Sequence, residues 1–255
     1  MRFVFAETFD TAEYQHSLLW PGHVAMAART DARSGTAVFS AWVLSDEVFG
    51  PDLQIGADDF RDVSPIIGRS TLGCRQVNAP RFEFLEDGIG GCVHEVGHLL
   101  GLPHRFGDVP DDNMMGQGFR RLAENFRLGR DQPGPVGFSE ASSCLMATSR
   151  FFNRDISRTD DVLPSVSTEW RGQDLFVSFN DNHRVVFVGI LGFTRQGQAL
   201  TFWREIHHEQ EPGFLMPAEA LGKNTASMHV IVADSGGNHR RAKVASRSQT
   251  LSEFR

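Results

Sequence analysis

Lysine is nearly absent from this chain: among 25 basic residues only Lys223 and Lys243 are lysines. We read that shortage as compositional bias and not as a functional signal. No stripe of basic residues replaces it, which argues against a nucleic-acid partner. No apolar run approaches the ~20 residues of a spanning helix, so no membrane span is expected. Internal repeats and low-complexity segments are missing too, which excludes a solenoid. Tyrosine occurs once, at Tyr14. Cysteine occurs three times, at Cys74, Cys92 and Cys144. An odd number leaves at least one thiol outside any intrachain pair. A Cys92–Cys144 disulfide is conceivable, but buried thiols are the preferred reading, and the redox compartment stays open.

What is present describes an ordinary globular protein. The chain has 255 residues, 40% hydrophobic and 22% charged, enough for one large or two modest domains. Its net charge of −7 falls wholly within residues 1–155, while residues 156–255 balance. An acidic face can favour basic peptides, although solubility alone accounts for it. The opening residues, Met1 to Asp10, start like a signal peptide but meet Glu7 and Asp10 too soon for an apolar core segment. Either the chain is not exported by that route, or this sequence lacks its leader, which would allow secretion; localisation stays open.

One stretch carries a chemistry. His94-Glu95-Val96-Gly97-His98-Leu99-Leu100-Gly101-Leu102-Pro103-His104 matches H-E-x-x-H-x-x-G-x-x-H, a coincidence expected in about 1 of 10⁵ chains of this length. On a helix, His94 and His98 lie one above the other and can share a tetrahedral Zn²⁺. Glu95 is rotated about 100° from His94. It can flank the metal without ligating it, where a general base takes a proton from water. Gly101 can adopt the left-handed conformation that ends a helix and turns His104 back as third ligand. Three protein ligands leave a fourth position open, the mark of a catalytic site. A plain amphipathic helix with Cys92, Val93, Val96, Leu99 and Leu100 as its apolar side is the competing reading. Gly101 and His104 in register count against it.

This signature resembles the metzincin clan of zinc endopeptidases. The resemblance implies a methionine on a tight turn beneath the metal, and Asn113-Met114-Met115-Gly116 follows at a suitable distance. Met115 is the choice for that Met-turn, with Met114 second. Gly118-Phe119-Arg120 and Asn125-Phe126 are similar to segments in a group of poorly characterised microbial metallopeptidases. One departure matters. Several metzincin subfamilies carry a tyrosine two residues after the Met-turn methionine, and this chain has Gln117. Transition-state charge then falls to zinc, protonated Glu95 and backbone N–H groups.

The expected organisation begins with a strand over Arg2 to Glu7, a helix-like Thr11 to Arg29 broken at Pro21-Gly22, and a strand over Thr36 to Leu44. Loops follow from Asp46 to Pro65, with a short helix near Asp58–Val63. A weak strand over Arg69 to Val77 and a better one over Arg81 to Glu86 precede the zinc helix. That helix is expected from Ile89 to Leu100 with Asp87 as N-cap. In the clan the penultimate strand is a sheet edge to which extended peptides add. Carried over, that edge is Ser70 to Arg75, with an ordinary protected edge equally open. Helices are expected over Phe119 to Leu128 and Ser139 to Phe152, then a linker from Asn153 to Ser165. Runs at Asp174–Phe179, His183–Phe193, Ala199–Arg204 and Ser227–Ala233, with turn residues between them, indicate a small antiparallel sandwich. Within it, His207-His208 with Glu209 and Glu211 reads as a solvated loop before a metal cluster. Trp170 and Trp203 read as core before a glycan platform.

The fold class expected is therefore an α+β, metzincin-like catalytic domain over residues 1–157. It would hold a twisted mixed sheet, an active-site helix and a C-terminal helix. A small all-β sandwich accessory domain over residues 158–255 would follow. The function expected is a zinc-dependent metalloendopeptidase with one catalytic Zn²⁺ held by His94, His98 and His104. Glu95 is the general base, Met115 the supporting methionine, and a protein or peptide the substrate. Two alternatives stay open. The zinc hydrolase could act on a non-peptide amide or acyl bond, since the motif specifies the attacking water and not the bond. Or zinc could stabilise a non-catalytic binding or adhesion module, which would have no need of Glu95. Specificity, latency and oligomeric state are not legible.

Overall fold

The computed structural model describes residues 2–6, 25–30, 35–40, 46–50, 54–71, 77–104, 112–128, 134–149, 151–152, 162–194, 197–206, 213–217 and 227–244. The expected sites at Tyr14, Cys74 and His207–Glu211 lie outside them, as does most of the proposed edge at Ser70–Arg75. The chain groups into two compact units, one of residues 1–100 and 107–138, the other of 101–106 and 139–255. It is an α+β protein whose sheets are largely antiparallel. No helix among the described residues is long and apolar enough to cross a membrane.

The first unit opens with β1 (Arg2–Ala6), β2 (Ala25–Thr30) and β3 (Gly35–Ser40), in the order β1-β3-β2. β1 runs parallel to β3 and β2 antiparallel to it. β2 corrects an expectation. Ala25-Met26-Ala27-Ala28-Arg29-Thr30 favours helix by composition, yet it forms a strand because β3 supplies a complete hydrogen-bonding partner, with a bulge between Ala25 and Ala27. After α1 (Asp46–Phe49), a 3₁₀ turn over Asp59–Arg61 falls where a short helix was expected. The weak strand expected from Arg69 does not form over residues 69–71. There the backbone is paired more locally, Ala79 N–H donating to Arg69 O at 3.1 Å and Ile66 N–H to Ala79 O at 3.0 Å.

Arg81 to Glu86 is also not the expected strand. α2 (Arg81–Leu85) runs through a π-helical turn over Glu86–Gly90 into α3 (Gly91–Leu99). The Phe82/Phe84 alternation is too short to outweigh a longer helical pattern. Phe82, Leu85, Ile89 and Val93 recur at helical spacing and all pack into one core with Phe60, Phe84, Met114, Leu122 and Val136. Asp87 is consequently no N-cap; it is buried at 3% exposure inside the π turn. On another side of α3, Cys92 and Leu99 pack against Ala37 and Phe39 of β3. Two apolar sides anchor the helix, and the side bearing His94 and His98 is left for chemistry. A 3₁₀ turn over Gly118–Arg121 leads into α4 (Ala123–Arg127), in place of the single helix expected over Phe119–Leu128.

In the second unit, α5 (Glu140–Ala147) starts where Ser139 caps it, its hydroxyl accepting from Ser142 N–H at 3.2 Å, and ends earlier than the expected Phe152. β4 (Ser165–Arg171), β5 (Asp174–Asn180) and β8 (Gly213–Met216) form one antiparallel sheet in the order β4-β5-β8. β6 (Val185–Thr194), β7 (Gly197–Glu205), β9 (Ser227–Asp234) and β10 (His239–Lys243) form the other, in the order β10-β9-β6-β7. Leu175, Val177 and Met216 of the first sheet share a core with Val188, Ile190, Val230 and Val232 of the second. β4, β8 and β10 had not been expected. β4 is polar at alternate positions, β8 is only four residues long, and β10 is largely basic. Trp170 packs against the shared core, and Trp203 stacks on buried Phe187 at 6.2 Å between ring centres.

Candidate metal centre

His94 and His98 project from one side of α3, their rings meeting edge to face at 4.8 Å and 89°. Immediately after the helix, Gly101 has φ +85°. This left-handed residue ends the helix as expected, because glycine alone adopts it without strain. A side chain at Gly101 would also place its Cβ 2.8 Å from His239 Nδ1. Three residues on, His104 presents its ring to the other two. Each histidine offers one nitrogen, and the three nitrogens lie within 4.8 Å of one another. Imidazoles at about 2.0–2.1 Å from a tetrahedral ion sit about 3.4 Å apart, so small side-chain rotations separate this arrangement from a metal-bound one. The triad can bind a metal ion.

The donor set also fits electronically. His94 is 6% exposed, and its Nδ1 lies 2.7 Å from the backbone carbonyl of Met114. A carbonyl only accepts, so Nδ1 carries the proton and Nε2 is left with its lone pair free to ligate. That carbonyl belongs to a tight turn. Asn113 Oδ1 accepts from Met115 N–H at 2.8 Å, and Asn113 O accepts from Gly116 N–H at 2.8 Å. Met114 N–H donates in turn to Gly137 O at 2.7 Å. Asn125 holds the neighbouring residue from both sides, donating to Val136 O and accepting from Val136 N–H. Both methionines are buried, Met115 completely.

Glu95 is half-buried, and burial pushes its carboxyl above the usual carboxylate range. Cys92 is a free thiol pushed up to about 11, chiefly by burial and then by the charge of Glu95. Cys144 is likewise free, its Sγ donating to Glu205 Oε1 at 2.6 Å. The conceivable Cys92–Cys144 disulfide is therefore not formed.

Two buried carboxylates behind the helix do what its sequence did not suggest, Glu86 having had no expected role and Asp87 only that of an N-cap. Glu86 Oε1 accepts from Ala123 N–H at 2.8 Å, and burial raises its carboxyl to about 7. Asp87 Oδ1 lies 3.5 Å from Arg120 Nε. Acidic residues before an apolar run normally signal a helix start. Here the π turn carries them past that point and inward, which local spacing does not reveal.

No protein-family model matches the sequence, and no curated protein matches it. Among solved structures, wild-type OgpA from Akkermansia muciniphila is similar at a TM-score of 0.47 and 16% identity, over 64% of this chain and 50% of that one. A catalytically inactive OgpA in complex with an O-glycopeptide substrate, glycodrosocin, is similar to the same degree. Superoxide reductase from Giardia intestinalis is similar at a TM-score of 0.26 and 8% identity, over 32% of this chain and 95% of that one. The match to OgpA spans about half of that protein's length. Likenesses at these scores assign no activity to this chain.

Proposed function

We propose that this chain is a zinc metallopeptidase of metzincin type. His94, His98 and His104 hold Zn²⁺, and Glu95 is the general base. The observation that carries the reading is the convergence of three ring nitrogens beside a half-buried glutamate, with the His94 tautomer set for ligation. Bound there, Zn²⁺ supplies Lewis acidity toward a carbonyl and lowers the pKa of water toward 7.

The chain's own residues do the rest. Met114 O keeps the His94 proton on Nδ1. Glu95 takes a proton from the attacking water, then returns it to the leaving amine. Its half-buried setting favours the protonated form needed for that second transfer. Met115, buried on the turn beside the triad, is the supporting Met-turn residue. With Gln117 in the tyrosine position, no phenol follows the methionine turn. We take the substrate to be a protein or peptide, residues 1–157 to be the catalytic portion, and residues 158–255 to be a β-sandwich accessory domain. The shared core of the two sheets supports the sandwich.

The test is metal content together with peptide cleavage. Stoichiometric zinc, chelator-sensitive cleavage of a peptide library and loss of cleavage in Glu95→Ala are expected. Cleavage persisting in Glu95→Ala would overturn the reading. Turnover of non-peptide amides alone would move the substrate to the second class of hydrolase.

A further inference from the structure

We propose that Phe119 and Arg120 are positioning residues for the His94 ring, held in place by the buried carboxylate of Asp87. This rests on the reading that the triad binds a metal. The hydrogen bond from His94 Nδ1 to Met114 O fixes one edge of the imidazole. A single hydrogen bond, however, leaves the ring free to swing about the donor–acceptor axis. The Phe119 ring removes that freedom, lying 5.1 Å from the His94 ring at 54°. The Arg120 guanidinium lies over the same phenyl ring, 4.9 Å from its centre. It has two further contacts: Nε is 3.5 Å from Asp87 Oδ1, and Nη1 donates to Gln117 Oε1 at 2.7 Å.

The sequence makes room for this packing at Gly90. A Cβ there would lie 2.2 Å from Phe119 O and 2.9 Å from Phe119 C, so any side chain would push Phe119 away. The π turn meanwhile turns Asp87 inward, to 4% side-chain exposure. A buried carboxylate is costly unless a cation accompanies it, and Arg120 meets that need while resting on Phe119. The turn preceding the metal helix and the turn following the two methionines are thus joined through a pair of groups that bear on one ligand.

If the cluster merely tied two segments together, its variants would lose stability and nothing else. If it orients His94, they change the metal centre. Zinc affinity by competition with a chromophoric chelator, and the visible spectrum of the Co²⁺-loaded full chain, separate the two. Phe119→Ala is expected to weaken zinc about tenfold, the usual effect of losing an outer-shell partner of a ligand, and to alter the Co²⁺ bands. Arg120→Gln should weaken it about threefold, with Arg120→Lys recovering most of the loss because a cation again lies over the ring. Phe126→Leu, which disturbs a ring stacked on Phe60 at 4.1 Å in the same core, should lower the metal-free Tm yet leave affinity and spectrum unchanged. Should Phe119→Ala not fold, the two Arg120 variants decide. Wild-type affinity and spectrum at both positions would overturn the proposal while the metallopeptidase reading stood. A wild-type chain without bound zinc, or His94→Ala binding zinc as tightly, would remove both.

Discussion

His94 donates its Nδ1 proton to the backbone carbonyl of Met114 across 2.7 Å. The first histidine of the triad is thereby tied to the turn at Asn113–Gly116 through the main chain and not through a methionine side chain. The path of the backbone from Asn113 to Gly116 sets that hydrogen bond, so residues that shape the path bear on the histidine triad without belonging to it.

Asn125 is one of them. Its amide bonds both backbone groups of Val136, beside the Gly137 carbonyl that receives Met114 N–H. Asn125→Ala is expected to lower stability by about 2 kcal/mol, because two partly buried hydrogen bonds are lost. Zinc affinity should fall about tenfold as the Met114 carbonyl loosens. Thermal denaturation of the metal-free chain and chelator competition measure the two effects separately.

If Glu95 is the base we propose, its removal should spare zinc binding. Glu95→Gln keeps the shape of the side chain but cannot take a proton, so kcat/KM for peptides should drop by about 10²–10⁴ while zinc stays stoichiometric. A variant lacking zinc as well would mean that Glu95 acts through metal binding.

Gly101 carries two constraints at once, its φ of +85° and the 2.8 Å approach of its would-be Cβ to His239 Nδ1. Gly101→Ala should cost about 1–2 kcal/mol from the backbone conformation alone. Because this turn delivers His104, zinc affinity should fall further than it does in Gly68→Ala. Gly68 has a similar φ of +75° but nothing near its would-be Cβ.

The pH dependence of stability should carry a signature of Glu86. Burial raises its carboxyl from 4.5 to about 7, so the folded state binds this proton more tightly than the unfolded chain. The resulting stability is fully present below pH 4.5 and is lost as pH rises through about 7. Glu86→Gln keeps an oxygen to accept from Ala123 N–H and cannot ionise. Denaturant titrations at pH 5 and pH 8 should show wild type losing on the order of 2 kcal/mol more than the variant across that interval. Equal losses would show that Glu86 ionises no differently in the folded chain.

Legibility followed the range of the forces involved. The short helix near Asp58–Val63, the Ser139 cap, the left-handed Gly101 and the longer strands of the second unit depend on neighbours a few residues away, and their patterns are visible locally. The Arg81–Glu86 segment misled because two phenylalanines alternate within it. Its helical stripe becomes apparent only when Phe82 is followed through to Val93, across an Asp-Gly pair that normally marks a turn. β2 misled because its alanine-rich composition favours a helix in isolation, and strand pairing with β3 overrode that preference.

By itself, the sequence determined that His94 and His98 share one side of α3 and where the helix must stop. Both follow from the pitch of a helix and from the one residue type that tolerates positive φ. Tertiary structure alone decided what holds those side chains. The Met114 carbonyl, the Phe119 ring and the Asp87–Arg120 pair reach His94 or its supports from segments about 20 residues away or across an irregular π turn, distances at which spacing carries no information and packing does.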